Sequence, residues 1–241
     1  MTSSATHRRL RQRWSRRLLA LLGVELQASG AIQPGCLVVA NHISWLDIFV
    51  LNALAPSAFV SKAEVRGWPV VGWLAAKNET VFLRRGSRGH AKIINGEIGT
   101  LLDAGRNVAL FPEGTTTDGT HVLHFHAALL QPAIESRHAI QPVSISYRSP
   151  EGSLSPAPAY IGDVSLGECL AAIIAEPRLV ARTLAAPPLP TTESVTRRAL
   201  AETARDVIAR GIADKPAPTL DRQTFPISCE EIVAAENAVH S

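Results

Sequence analysis

The sequence predicts an α/β protein: a single domain with a mixed central β-sheet flanked by helices, preceded by an N-terminal basic amphipathic helix. Three observations lead to this fold class. Short apolar runs with β-branched residues, at 36–40 and 107–111, are typical of buried strands. Residue patterns typical of helix starts come after these runs or lie between them. Near the N-terminus, leucines recur at helical spacing among arginines.

The remaining elements follow from the same patterns along the chain. Residues 141–147 and 179–184 alternate as strands do. Helices are predicted over 91–102, over 165–175 from a capping box, and over 195–208. We expect an N-terminal segment at 1–30, the main domain at 31–212, and a C-terminal tail at 213–241. The tail mixes proline and polar residues without a period, so we expect loose order there.

The net charge of +3 is concentrated in the N-terminal segment. Residues 1–30 carry six arginines and one acid, whereas the remainder carries a net charge of −2. This distribution disfavours a general nucleic-acid surface. The apolar positions of the segment recur at spacings of three and four: Leu10, Trp14, Leu18, Leu21 and Leu22.

Such a helix suits the headgroup region of a membrane that contains anionic lipid. The alternative is a core-packing helix with an arginine-rich solvent face. A signal peptide is disfavoured because Glu25 interrupts the short apolar stretch and no clear cleavage pattern follows. No run approaches the ~18 apolar residues that span a bilayer. We therefore expect a peripheral protein on the cytoplasmic face of the cell membrane.

The cysteines and histidines give no pattern typical of a metal site. The three cysteines lie far apart, which indicates a reducing compartment. His121, His124 and His126 are close in sequence but form no typical metal-ligand spacing with carboxylates or cysteines, which favours a polar or substrate-lining loop. We expect neither a metal nor a cofactor.

The first candidate for chemistry is the stretch Asn-His-Ile-Ser-Trp-Leu-Asp at 41–47, between a predicted strand and a predicted helix. On one continuous helix, residues five apart point away from each other. With a strand-to-helix turn between them, the imidazole of His42 can fold back onto Asp47. That carboxylate would then orient a general base. Alternatively, Asp47 only caps its helix and His42 is a loop histidine. We prefer Ser44 as a helix cap over a nucleophile.

The second candidate is Phe-Pro-Glu-Gly-Thr at 111–115, which also follows an apolar run. Gly114 allows backbone amides to approach a ligand closely. Glu113 offers a carboxylate for substrate hydroxyls. An ordinary turn that ends a strand is the alternative interpretation.

Together these motifs resemble the glycerolipid acyltransferase family, whose type member is bacterial 1-acyl-glycerol-3-phosphate acyltransferase. His42 and Asp47 match its N-H-x-x-x-x-D block, and residues 111–115 match its F-P-E-G-[ST] block. Arg85 falls in a stretch similar to its second block, and residues 141–144 resemble its fourth. The resemblance implies His42 and Asp47 as the catalytic pair. It also implies substrate-binding roles for the following residues: Arg85, Glu113, Gly114 and Thr115.

The resemblance implies transfer of a fatty acyl group from acyl-CoA or acyl carrier protein to the free hydroxyl of a lysophospholipid. The first acceptor to consider is 1-acyl-sn-glycerol-3-phosphate, which would give phosphatidic acid. His42 would take the acceptor proton, and Asp47 would support the imidazolium. The thiol would leave without a covalent enzyme intermediate.

Two departures from the family pattern keep other interpretations open. Many members that use lysophosphatidic acid have an arginine where this chain has Thr116, and the lysine common downstream is absent after Phe125. These changes motivate an alternative acceptor, either a lyso-aminolipid such as lyso-ornithine lipid or another lysophospholipid. A non-catalytic lipid-binding protein and a hydrolase are the further alternatives.

Overall fold

The computed structural model describes residues 4–62, 81–83, 88–192 and 195–213. In this part of the chain the fold is α/β with a mixed sheet and an N-terminal helix, as the sequence predicts. The strands are β1 (Val24–Ser29), β2 (Leu37–Ala40), β3 (Ser57–Lys62), β4 (Val81–Leu83), β5 (Asn107–Leu110), β6 (Ile140–Arg148) and β7 (Leu179–Ala185). The helices are α1 (Ser4–Leu21), α2 (Asp47–Leu54), α3 (Arg88–Asp103), α4 (Gln131–Glu135), α5 (Leu166–Ala175) and α6 (Arg197–Ile212).

These seven strands form one sheet in the order β1-β7-β6-β2-β5-β3-β4. Neighbours are parallel except for β6 and β7, which pair antiparallel. Strand β2 lies between β5 and β6, with Val38 opposite both Ala109 and Gln141. The loops that follow β2 and β5 therefore leave the sheet side by side, at the edge where parallel α/β sheets bind ligands.

Helices cover both faces of the sheet, so the central strands are buried on both sides. Alternate residues of β2 point to opposite faces. Leu37 and Val39 join a core with α3, α4 and α6. Val38 and Ala40 join a core with α1, α2 and α5. The second core contains the beginning of α2 and hence the surroundings of Asp47.

The predicted capping box at the start of α5 is confirmed. Ser165 and Glu168 form a reciprocal capping box: the Ser165 hydroxyl accepts from the Glu168 N–H at 3.3 Å, and the Glu168 carboxylate accepts from the Ser165 N–H at 2.8 Å. Both bonds use groups within four residues, which explains why the motif is readable from sequence. Residues 214–241, where we expect a loose tail, lie outside the described residues.

Helix α1 packs against α2 through polar side chains as well as apolar ones. Gln12 donates to the carbonyls of Ala53 and Leu54 at 3.2 and 3.0 Å, and Arg16 donates to Ala53 at 3.0 Å. The last carbonyls of a helix lack partners within it and carry a partial negative charge, so a guanidinium there is favourable. This side of α1 is therefore an internal packing face.

The outward side of α1 carries apolar side chains beside arginines. Leu10, Trp14 and Leu21 are 53%, 44% and 84% exposed. The sequence placed all five apolar positions of this helix on one stripe, but Leu18 and Leu22 pack against the core instead. Gly23, with φ of 71°, turns the chain into β1, so the 1–30 interval holds both the helix and an edge strand of the sheet. Within the described residues, none of the helices has the length and apolar character that crossing a bilayer requires.

Candidate active site

His42 and Asp47 meet in the turn between β2 and α2. His42 Nδ1 lies 2.8 Å from Asp47 Oδ2. The imidazole side chain is 21% exposed, whereas the Asp47 side chain is fully buried. The turn thus brings the two side chains together as the sequence predicts. It produces a partly exposed histidine with one nitrogen held by a carboxylate.

The capping role expected of Ser44 is wrong in one respect. The Asp47 backbone N–H donates to the Ser44 carbonyl at 3.2 Å, and the side chain of Ser44 makes no bond to the helix backbone. The reverse half of the pattern is present, since Asp47 Oδ2 accepts from the Ser44 N–H at 2.9 Å. Helix α2 begins at Asp47 itself because that carboxylate turns back onto the preceding amides.

The second motif lies directly against the first, after the neighbouring strand β5. The rings of His42 and Phe111 are stacked, with centroids 4.0 Å apart and planes 9° from parallel. Phe111 in turn lies near Phe59, at a centroid distance of 6.3 Å. One face of the candidate base is therefore covered by an aromatic ring, which restricts the orientation of the imidazole.

Glu113 connects the two motifs through backbone groups. Its Oε1 accepts from the His42 N–H at 2.9 Å, and its Oε2 accepts from the Leu123 N–H at 2.8 Å. The side chain is buried, and burial raises its pKa above the ordinary glutamate value. Binding of substrate hydroxyls by Glu113 stays a prediction. In the structure, both carboxylate oxygens hold backbone amides.

The loop after Glu113 also bonds to His42. The Thr117 N–H donates to the His42 carbonyl at 2.8 Å. Both backbone groups of His42 are consequently bonded to the second motif and its loop. Sequence reasoning did not single out Thr117, because a contact across 75 residues leaves no local pattern.

The other predicted substrate-binding residues fall in different surroundings. Gly114 has a φ of 70°, a backbone conformation that favours glycine. Thr115 is exposed at the tip of the turn. Thr116 donates from its hydroxyl to the Tyr160 carbonyl. Arg85 lies outside the described residues.

The sequence of the chain was also compared with those of known protein families. The model of the acyltransferase family matches residues 23–146. The chain belongs to the acyltransferase family.

Relatives in this acyltransferase family include two named for different lipid acceptors. A lyso-ornithine lipid O-acyltransferase of Pseudomonas aeruginosa is 42% identical over 216 residues, which cover 89% of this chain and 83% of the relative. A 1-acyl-sn-glycerol-3-phosphate acyltransferase of Neisseria meningitidis serogroup B is 37% identical over 194 residues, which cover 80% of this chain and 76% of the relative.

A solved structure supports the same architecture for the acyltransferase chain. The 1-acyl-sn-glycerophosphate (LPA) acyltransferase of Thermotoga maritima matches with a TM-score of 0.64 and 21% identity, over 89% of this chain and 83% of that one. At this identity the likeness concerns the fold. Membership of the acyltransferase family makes the chain an enzyme that uses an acyl donor and a lysolipid acceptor.

One residue that contacts the candidate pair was not identified from the sequence. The Tyr147 hydroxyl, on β6, donates to Asp47 Oδ1 at 2.8 Å. Tyr147 is 1% exposed and 100 residues away from Asp47 in sequence. Its strand was predicted, but alternation alone does not reveal which buried side chain reaches a carboxylate on another element.

The histidine-rich loop and the two cysteines that the structure describes were candidates for a metal site. Among the described residues, no group of three His, Cys, Asp or Glu side chains is arranged to hold a metal ion. His121 pairs with exposed Asp118 at 3.4 Å, and the rings of His124 and His126 lie 6.2 Å apart on the surface. Cys36 and Cys169 are buried and do not form a disulfide.

Proposed function

We propose that His42 and Asp47 catalyse transfer of a fatty acyl group from a thioester to the free hydroxyl of a lysolipid. The observation that carries this proposal is the 2.8 Å contact between His42 Nδ1 and buried Asp47. With Nδ1 held by the carboxylate, Nε2 is the nitrogen that can take a proton. A histidine with its own orienting carboxylate is well suited to general-base catalysis, because the carboxylate fixes the tautomer and stabilises the imidazolium.

In the proposed reaction, His42 Nε2 removes the proton from the acceptor hydroxyl as that oxygen attacks the thioester carbonyl. Asp47 stabilises the imidazolium that forms. The C–S bond then breaks, the acyl group stays on the acceptor oxygen, and the leaving thiol receives the proton from His42. The amides of Ile43, Ser44 and Gly114 already donate within the loops, so the oxyanion needs other donors. No cofactor takes part, because acyl-CoA or acyl carrier protein is the co-substrate.

For the acceptor, 1-acyl-sn-glycerol-3-phosphate is the first candidate. The motifs that carry the family resemblance and the Neisseria relative support it. Arg85 would bind the phosphate, since guanidinium matches phosphate in a bidentate manner. Phosphatidic acid would be the product.

Lyso-ornithine lipid is the second candidate, and Thr116 favours it. Where many lysophosphatidic acid enzymes have an arginine, this chain has a threonine whose hydroxyl is bonded to the Tyr160 carbonyl. Thr116 therefore provides no positive charge for the headgroup of a lipid acceptor. The Pseudomonas relative, at 42% identity, has this acceptor in its name.

We further propose that the enzyme works at the cytoplasmic membrane surface. Leu10, Trp14 and Leu21 form an exposed apolar stripe on α1, and arginines lie beside it. Such a helix binds a bilayer by burying its apolar stripe while the arginines contact anionic headgroups. Lysolipid acceptors reside in the same interface, so docking would present them to the enzyme.

A direct assay tests the proposed chemistry. Purified protein receives a long-chain acyl-CoA, or acyl carrier protein as donor, together with a panel of lysolipids. Thiol release and product mass are followed together. We expect acceptor-dependent release that falls about 10²- to 10⁴-fold in His42→Ala. A His42→Ala variant with wild-type turnover would exclude His42 as the base. Free fatty acid formed without acceptor would identify a hydrolase.

A further inference from the structure

The carboxylate of Asp47 is held from two independent parts of the fold. Its Oδ2 accepts from His42 and from the amides of Ile43 and Ser44, at 2.8, 2.7 and 2.9 Å. All three donors belong to the loop that precedes α2. In the described residues, Oδ1 accepts from the Tyr147 hydroxyl alone, at 2.8 Å. One oxygen is thus held by the local turn, and the other by strand β6.

Tyr147 is built as a permanent donor to this oxygen. The side chain is 1% exposed and lies in the core that α2 and α5 share. Burial, followed by the negative charge of Asp47, raises the pKa of the phenol well above its ordinary value. The hydroxyl therefore keeps its proton, and a carboxylate oxygen is the acceptor in front of it.

The remaining titratable neighbours of Asp47 do not offer an equivalent bond. Glu113 feels the charge of Asp47, but its oxygens hold backbone amides. Cys169, on α5, donates weakly from its thiol to the carbonyl of Pro158, at 3.6 Å. Burial raises the pKa of that thiol, so it stays neutral. Tyr147 has no substitute among these groups.

The three loop donors on Oδ2 do not by themselves fix the plane of the carboxylate. Rotation about the Cβ–Cγ bond of Asp47 moves both oxygens together, so a rotation that takes Oδ1 away from Tyr147 on β6 also displaces Oδ2 relative to His42. A buried carboxylate with an unbonded oxygen is costly, which favours rotation or protonation. Either change weakens the bond to His42 Nδ1, since its length and direction depend on where Oδ2 lies.

We propose that Tyr147 is a positioning residue for the His42–Asp47 pair, because its hydroxyl fixes the orientation of the Asp47 carboxylate from strand β6. This inference rests on the proposed catalytic role of His42 and Asp47. Tyr147 contacts neither acceptor nor donor in this proposal and acts only through Asp47.

Tyr147→Phe removes the hydroxyl with little change in shape. Tyr160→Phe is the matched control on the other tyrosine of the chain, since Thr116 contacts only the backbone carbonyl of Tyr160, which the substitution keeps. We expect kcat of Tyr147→Phe to fall about tenfold or more, as with other hydrogen bonds that orient a functional group, with KM within about twofold of wild type. Tyr160→Phe should keep wild-type values. Thermal unfolding followed by circular dichroism gives the Tm of each variant, and the kinetics are measured below that temperature.

A spectroscopic readout separates positioning from general loss of structure. The downfield proton NMR signal of His42 Nδ1–H, identified by its absence in His42→Ala, should shift or disappear in Tyr147→Phe and persist in Tyr160→Phe. In the Tyr160→Phe background, biosynthetic 3-fluorotyrosine labels Tyr147 alone and keeps its hydroxyl. We expect the same signal to shift there, because fluorine strengthens the phenol as a donor.

The outcomes distinguish this inference from the proposed function. If His42→Ala and Asp47→Asn are inactive but Tyr147→Phe keeps kcat and the Nδ1–H signal of wild type, Tyr147 is not a positioning residue and the catalytic pair stands. If His42→Ala keeps wild-type turnover, the proposed catalytic pair itself is wrong.

Discussion

The carboxylate of Glu113 accepts a hydrogen bond at 2.9 Å from the backbone N–H of His42, a residue 71 positions earlier in the chain. Its second oxygen holds the Leu123 amide. Glu113 thus joins the loops after two neighbouring parallel strands, β2 and β5. It positions the candidate base through the backbone, while Asp47 and Phe111 position the ring.

Glu113→Gln should therefore destabilise the loop and lower kcat together. An amide replaces one acceptor oxygen by a donor, so one of the two backbone amides loses its partner. Leaving a buried donor unsatisfied costs about 1–3 kcal/mol. We expect a loss of that order in the free energy of unfolding, measured by urea titration. Glu135→Gln, at an exposed glutamate, is the control and should change neither stability nor kcat.

The raised pKa of Glu113 predicts a pH dependence of stability. Between the ordinary glutamate pKa and the raised one, the folded protein keeps a proton that the unfolded chain has released. The Glu113 contribution to the free energy of unfolding consequently decreases as pH rises through this window. Urea titrations from about pH 4 to pH 7 should show this decrease in the free energy of unfolding for wild type and for Glu135→Gln. Glu113→Gln should lack the part of the decrease that titration of Glu113 causes. Parallel curves for wild type and Glu113→Gln would contradict the shift.

Phe111→Leu tests whether the stacked ring orients His42. Loss of the flat partner, now 4.0 Å from the imidazole, should let the ring rotate. Misplacement of a catalytic group by ~1 Å costs up to about 10²-fold, so we expect kcat to fall about tenfold.

Phe125→Leu is the control for this change. Phe125 is buried in the core on the opposite side of the sheet from α2. Its replacement should cost about 1–2 kcal/mol of stability and leave kcat of the folded enzyme intact. Equal kcat losses in the two variants would show that the effect of Phe111 is general softening and not orientation.

If α1 docks on the membrane as proposed, substitutions on its exposed apolar stripe should weaken binding to lipid vesicles. Leu10→Glu and Leu21→Glu place charges on the exposed stripe and remove about 1.5–3 kcal/mol of apolar burial each, so vesicle binding should fall at least tenfold per site. Sedimentation with anionic phospholipid vesicles measures this. Ile93→Glu, at a comparably exposed residue on α3, is the control and should bind like wild type. Equal binding by all three variants would exclude α1 as the docking helix.

Local patterns predicted the parts of this protein that depend on near neighbours. The Ser165–Glu168 capping box, the strands β2 and β5, and the His42–Asp47 contact involve groups at most five residues apart. One failed prediction, the Ser44 side-chain cap, also concerned near neighbours. The Asp47 carboxylate accepts from the backbone amides of Ile43 and Ser44, and the Ser44 side chain does not cap the helix. Residue spacing alone does not show which of the two side chains bonds to the backbone.

By itself, the sequence determined the α/β class, the family and the candidate catalytic pair, because periodicity, capping and motif spacing are properties of short segments. Only the tertiary structure decided that β2 lies between β5 and β6. That placement brings Glu113 to the His42 backbone from one side and Tyr147 to Asp47 from the other. Strand order results from packing of the whole sheet, so contacts across 71 and 100 residues have no counterpart in any local pattern.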